Sequence, residues 1–127
     1  TVAGYSYGGV LGAPSLTHGK VSEIRGLDGQ KNVSRLALNA LEGDAGGPVL
    51  DVNGTVLGML LPRKQGGRTL PDDVAFAVDS PALMRVLSQA GATPDNVTPV
   101  SSSGGALSPA QMAARASGMT VLVSCWE

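Results

Sequence analysis

Aromatic side chains are nearly absent: one Phe, one Trp and two Tyr make up 3 % of 127 residues. A core built from this chain must therefore be aliphatic, from Val, Leu, Ile, Ala and Met. Neither sign of charge dominates. Nine Lys and Arg stand against ten Asp and Glu, for a formal net charge of -1. No basic block marks a nucleic-acid face and no polybasic run marks an anionic membrane surface, so nucleic acid is not an expected partner. The single cysteine, Cys125, closes no internal disulfide and says little about compartment. With one histidine, His18, and one cysteine, a zinc site is not expected, and nothing else in the sequence asks for a metal or cofactor. No apolar run is long enough to span a bilayer. No signal peptide opens the chain; it starts abruptly in what reads as a strand, so upstream sequence is expected to be missing.

What is present is glycine, with 18 residues, and proline, with eight, in a chain that is 43 % hydrophobic. That usage suits many short strands joined by tight turns. Residues 1–7 are β-branched and aromatic until Gly8-Gly9 interrupts them. A strand is expected at 20–25, between Gly19 and Gly26. In 33–41, Leu36, Leu38 and Ala40 share one face at period two. Residues 49–52 and 55–61 flank Asn53-Gly54, a pair that favours a type I′ hairpin turn. In 73–78, Val74, Phe76 and Val78 alternate with Asp73, Ala75 and Ala77. These are about six strands, enough for a small closed barrel.

A helix should follow, with Ser80 as cap, Pro81 in its first turn, Leu83, Met84, Leu87 and Ala90 as its stripe, and Gly91 as its stop. Residues 92–107 read as a linker rich in Pro, Ser and Gly. A second helix is predicted from Ser108-Pro109 to Gly118, and residues 119–126 read as a final strand with Met119, Val121, Val123 and Cys125 on one face. The chain thus divides into a barrel with its closing helix at 1–91, a linker at 92–107 and a helix-strand tail at 108–127.

The most informative stretch is Glu42-Gly43-Asp44-Ala45-Gly46-Gly47-Pro48-Val49. Taken alone it is a glycine-rich turn before a hairpin. With serine in place of Ala45 it matches the Gly-Asp-Ser-Gly-Gly-Pro nucleophile loop of trypsin-like serine proteases. The chain resembles the HtrA/Deg branch of that family. Gly4-Tyr5-Ser6-Tyr7-Gly8-Gly9 is similar to the loop after the strand that enters the second barrel. Thr17-His18-Gly19-Lys20-Val21-Ser22 resembles the Thr-x-Gly-x-Val-Ser strand. Asn53-Gly54-Thr55-Val56-Leu57-Gly58 resembles the hairpin, and Val74-Ala75-Phe76-Ala77-Val78 the Gly-Phe-Ala-Ile strand. The resemblance covers residues 1–91 and includes no PDZ module.

The resemblance implies a mainly all-β fold: the second six-stranded Greek-key barrel of the chymotrypsin fold, followed by a C-terminal helix. It also implies serine endopeptidase activity, peptide-bond hydrolysis by acyl transfer through a seryl intermediate. Ala45 stands at the nucleophile position, and the N–H groups of Gly43 and Ala45 would form the oxyanion hole. The histidine base and its orienting aspartate would come from an N-terminal barrel that this sequence does not contain. His18 does not match the family's catalytic histidine. Asp44 replaces the asparagine usual in the HtrA branch. In the digestive branch such an aspartate pairs with a freed N-terminal amine, while local capping is the plainer role. By position, Asn39, Ala40, Leu41 and Glu42 would line one wall of a specificity pocket. Leu60, Leu61 and Pro62 would offer a strand edge for an extended substrate. Val74 and Phe76 would form the facing wall, or equally well belong to the barrel core. With no carboxylate at Asn39, a small or medium apolar side chain is expected there rather than Lys or Arg.

Ala45 has no hydroxyl, and loss of that group alone costs such triads roughly a million-fold in turnover. The chain as it stands is expected to be inactive. Either a natural serine has been replaced, which the intact loop favours, or the protein is a pseudoprotease that holds extended peptides without cutting them. A purely structural docking role is a third alternative. Expected partners are a polypeptide substrate, the missing N-terminal barrel, and a second copy through an uncovered apolar face. The expected location is the periplasm or the exterior of a bacterium.

Overall fold

A computed structural model describes residues 1–7, 9–65, 67–92 and 105–126. Its strands are β1 (Val2–Gly4), β2 (Ser15–Thr17), β3 (Lys20–Glu23), β4 (Val33–Ala37), β5 (Pro48–Leu50), β6 (Val56–Leu60), β7 (Lys64–Gln65), β8 (Arg68–Thr69) and β9 (Val74–Asp79). The helices are α1 (Ser80–Gln89) and α2 (Pro109–Met119). β7 and β8 form a small separate hairpin; the rest make one antiparallel sheet in the order β2-β1-β5-β6-β9-β4-β3.

That order forces a barrel. β2 and β3 lie at opposite edges of the sheet, yet only His18 and Gly19 separate them in the chain. Three Cα steps span at most roughly 11 Å, whereas seven strands laid flat span roughly 29 Å. The sheet must curl until its edges meet, and β2 and β3 become two halves of one bent strand. Counted so, six strands close a ring with Greek-key connections. The bend presses against the end of β4. A Cβ on Gly19 would collide with the carbonyl oxygen of Ala37 and sit 2.5 Å from Leu38 Cβ, so no larger residue fits there without movement.

Alternation along the strands divides inside from outside. Val2, Leu36, Leu38, Ala40, Val49, Leu60, Ala75 and Ala77 form the barrel interior. The neighbours of Val2 and Val49, Ala3 and Leu50, point outward and are buried under α2 with Met112 and Ala116. On β9 the small Ala75 and Ala77 face the narrow interior. Phe76 points the other way and lines a 230 Å³ recess with Leu27, Arg35, Leu70 and Pro71. The interior is too small for the bulky face that the sequence pattern suggests for this strand.

Two local expectations are corrected. The β5–β6 turn is not type I′, because Gly54 has positive φ (+78°) and Asn53 does not. Instead the Gly54 N–H donates to the Asp51 carbonyl at 3.0 Å, and Asp51 Oδ1 accepts from the N–H groups of Asn53 and Thr55, each at 2.9 Å. A side-chain carboxylate thus organises the turn, with glycine in the left-handed bulge position and a register shift between Val49 and Leu50. The cap of α1 is Asp79, whose carboxylate accepts from the Ala82 N–H at 3.0 Å; Ser80 instead donates to the Val56 carbonyl at 2.8 Å. The helix ends as expected, with Gly91 at φ +83° and the Ala92 N–H returning to the Leu87 carbonyl at 2.9 Å.

The second helix forms where the sequence predicts it, closed by a capping box between Ser108 and Gln111. It docks on the β5–β6 hairpin: the Leu107 N–H donates to the Val52 carbonyl at 2.8 Å, and Arg115 donates to the Gly54 carbonyl at 3.2 Å. The strand expected at 119–126 does not form. Met119 belongs to α2, and residues 120–126 pair with no strand among the described residues. The tail instead leaves α2 along the 43–48 loop, facing Gly4 and Tyr5 across a hollow, and pairs with neither edge strand, β2 or β3. Of the linker expected at 92–107, residues 93–104 lie outside the described residues.

Met112 is 6 % exposed and Met119, on the same helix, is 39 % exposed. Met112→Ala should lower the unfolding free energy by about 2 kcal/mol or more in urea denaturation. Met119→Ala should cost well under half as much. Equal costs would mean that α2 does not dock as described.

Candidate functional site

The loop from the end of β4 to β5 is built around one buried carboxylate. Asp44 is 1 % exposed. Its Oδ2 accepts from the Leu41 N–H at 2.9 Å, and its Oδ1 accepts a short hydrogen bond from the Ser6 hydroxyl. Its own N–H donates to the Leu41 carbonyl at 3.1 Å. An ionised carboxylate only accepts, so two donors aimed at its two oxygens suit it. Among the described residues its partners are neutral, and none is a cation. Ser6 lies just beyond β1, so this network ties the loop to the first strand.

The other side of the loop is clamped to β6. The Gly46 N–H donates to the Leu60 carbonyl at 2.8 Å, and the Leu60 N–H donates to the Gly47 carbonyl at 2.9 Å. The Gly47 N–H donates to the Asp44 carbonyl at 3.0 Å. Two N–H groups, those of Gly43 and Ala45, donate to no acceptor among the described residues. Gly43 takes φ +94°, a conformation that a side chain would strain. Ala45 is exposed, and its methyl stands where the resemblance puts a nucleophile.

Gly43 and Ala45 open onto a cavity of 490 Å³. Buried Ala40 and Leu60 give it an apolar floor. Leu41 and Glu42 stand on one side, Leu61, Pro62 and Arg63 on the other, and Lys64 and Thr69 of the β7–β8 hairpin complete the rim. The fold thus gathers Ala40, Leu41, Glu42, Gly43, Ala45, Leu60, Leu61 and Pro62 around one space. Asp44 lies beneath the loop rather than in the cavity lining. Asn39 is exposed and does not line this cavity. Val74 and Phe76 line the separate recess beside Leu70 and Pro71.

The hairpin residues Arg63, Lys64 and Thr69 are additions to the set named from sequence. Arg63 holds the hairpin base through the Leu70 carbonyl at 3.2 Å and Asp72 at 3.0 Å. With Asp72 largely exposed, that ion pair adds little stability and mainly orients the loop. The Gly66-Gly67 pair between Lys64 and Arg68 was the available signal for a hairpin there.

His18 belongs elsewhere. Its Nδ1 is 2.9 Å from the Thr1 hydroxyl, and it lines a 380 Å³ hollow with Leu36, Leu38 and Val49. That hollow shares no lining residue with the cavity at Ala45. The site therefore offers an apolar recess, a charged rim and two unpaired N–H donors, with neither a histidine nor a serine in the lining.

Replacing Asp44 tests its structural part. Asp44→Ala leaves the Leu41 N–H and the Ser6 hydroxyl without their acceptor and should cost about 1–3 kcal/mol of stability. Asp44→Asn keeps an acceptor for Leu41 and lets the Ser6 hydroxyl turn to accept, so thermal melts should place it close to the parent. Equal melting temperatures for parent and Asp44→Ala would contradict the network.

No family model and no curated protein matches the chain. Among solved structures it is similar to Rv3671c from M. tuberculosis H37Rv, a serine-to-alanine mutant in its inactive form. The TM-score is 0.50 and the identity 24 %, over 79 % of this chain and 48 % of that one. Rv3671c protease in its active form gives a TM-score of 0.45 at 21 % identity, over 80 % of this chain and 44 % of that one. The chain spans about half the length of the structures it matches. With its closed antiparallel ring and following helix, it has the fold of a chymotrypsin-like barrel with a C-terminal helix, as found in trypsin-like serine proteases.

Proposed function

We propose that the chain is the C-terminal, peptide-binding barrel of a trypsin-like serine endopeptidase of the HtrA/Deg type. With alanine at position 45 it holds polypeptide without cutting it. The observation that supports this reading is the loop itself. Two N–H groups with no protein acceptor, Gly43 and Ala45, border a cavity with an apolar floor, while the rest of the loop is tied down by Asp44 and Leu60. Unpaired donors beside an open cavity suit a carbonyl oxygen that gains charge during acyl transfer.

With serine at position 45, its oxygen would attack the scissile carbonyl and the two N–H groups would stabilise the resulting oxyanion. A histidine from an N-terminal barrel, oriented by an aspartate, would take the hydroxyl proton and deliver it to the leaving amine. The cavity favours a small or medium apolar side chain, because its floor is Ala40 and Leu60 and its charges stand at the rim. Beyond the polypeptide, the expected partner is that N-terminal barrel or a second copy of the chain, and the proposed location is periplasmic or extracellular. The alternative, a natural pseudoprotease, shares the same binding cleft and differs only in never having carried serine at position 45.

Ala45→Ser distinguishes the chemistry. On this chain alone it should show no labelling by a fluorophosphonate probe, because His18 sits in a different hollow. Supplied with an N-terminal barrel carrying histidine and aspartate, it should label at position 45. The parent chain should bind acetylated, amidated peptides with an apolar residue in fluorescence anisotropy, and should leave them intact by mass spectrometry. Absence of any peptide binding would overturn the proposal.

A further inference from the structure

The barrel closes along β2, and along β3 its ring is one neighbour short. β2 and β3 are halves of one bent strand, with β1 on one side and β4 on the other. β2 pairs with β1 only and β3 with β4 only, so β3 keeps an unpaired edge on the side of β1. At that edge lies a hollow of 380 Å³, lined by Thr1, His18, Lys20 and Val21 together with Val52 and Leu57 of the β5–β6 hairpin.

The hollow reaches the barrel core. Leu36, Leu38 and Val49 belong to the interior cluster and also line this space. Around them Val21, Val52 and Leu57 are 50 %, 66 % and 41 % exposed. An apolar surface that is open in this way marks a place where another group packs.

β1 is aimed at the same space. Its register on β2 sets Val2 opposite Thr17, Ala3 opposite Leu16 and Gly4 opposite Ser15. One step further sets Thr1 opposite His18, where the Thr1 hydroxyl lies 2.9 Å from His18 Nδ1. The next steps in the same direction fall opposite Gly19, Lys20 and Val21, the unpaired edge. The Thr1 nitrogen already behaves as a ladder amide. It donates to the Leu50 carbonyl at 2.9 Å, and the Leu50 N–H returns to the Thr1 carbonyl at 2.7 Å. Burial pushes the Thr1 amine below its usual value, with Asp51 opposing. A peptide N–H makes the same bond to Leu50 without carrying a charge into an apolar space.

We propose that this hollow is a docking slot for one further length of strand, running in line with β1 into Thr1 and pairing with the open edge of β3. Successive side chains alternate across a strand, and Val2 faces the interior. The residue joined to Thr1 therefore faces inward too, over Leu36, Leu38 and Val49, and is apolar. The inference rests on the reading of this chain as the second barrel of a two-barrel protease and adds the seat of its partner. The strand is the end of the connection from the N-terminal barrel, held by β-augmentation in a hollow that shares no lining residue with the cavity at Ala45.

The test compares the parent with two chains that carry Val-Thr-Val or Ser-Gly-Ser ahead of Thr1. Both additions turn the Thr1 amine into a peptide N–H. Only the first places an apolar side chain next to Thr1 in a strand-forming segment. The Val-Thr-Val chain should melt about 5 °C or more above the Ser-Gly-Ser chain, as burial of one Val allows. Its amide hydrogen exchange over residues 20–22 should be slower by about tenfold. In NMR spectra the Val joined to Thr1 should show contacts to the methyl groups of Leu36 and Leu38. A Val-Thr-Val chain that melts no higher than the Ser-Gly-Ser chain, or that lacks those contacts, overturns the slot. Protection of β3 that rises with the concentration of the parent overturns it too, because a second copy then covers the edge. Anisotropy with an apolar peptide in the same three chains reports on the cavity at Ala45 separately. Absence of that binding beside the expected melting and contacts overturns the protease reading and leaves the strand slot standing.

Discussion

The bend at His18 and Gly19 governs the molecule. It joins the first and last strands of the sheet through two residues, so the sheet has no choice but to close. Closure fixes which side chains face inward and keeps the interior small enough that alanine faces it from β9. It leaves β2 and β3 with one partner strand each, on either side of the bend. It also brings the end of β1, with Ser6, beside the loop before β5, where Asp44 waits for a donor.

The loop is a second example of geometry held from behind. Asp44 and the two hydrogen bonds to Leu60 engage the loop on the sides away from the cavity, so none of the contacts that shape it involves the side chain at position 45. An alanine there is compatible with a fully formed loop. A preserved shape and a missing hydroxyl are therefore not in conflict physically.

Much of this was legible in the sequence where a residue carries a local rule. The alternation of Leu36, Leu38 and Ala40 placed them in the barrel, and the glycine-rich motif at 42–48 pointed to the loop that borders the 490 Å³ cavity. Gly91 ended α1, and Ser108 with Gln111 opened α2. What was not legible depended on closure. Phe76 and its alanine neighbours reverse the face that hydrophobicity suggests, because available volume decides that position. Residues 119–126 have the pattern of a strand, but a strand needs a partner, and alternation reports faces without reporting edges. Asp51 shaped a turn that Asn53-Gly54 advertised in another form, since side-chain acceptors compete with intrinsic turn preference. The β7–β8 hairpin is too short for periodicity to reveal, although its glycine pair pointed to it.

The outer cluster under α2 joins Ala3 to Met112 and Ala116, residues more than a hundred positions apart. Closing so long a loop carries an entropic cost that its few contacts recover only after the barrel beneath is formed. The helix is therefore a late arrival on the folding route: the strands must condense first, and the cap settles onto a finished surface. Its contacts weigh chiefly on the unfolding rate rather than on the speed of folding. The barrel's persistence would then depend on the cap more than its formation does.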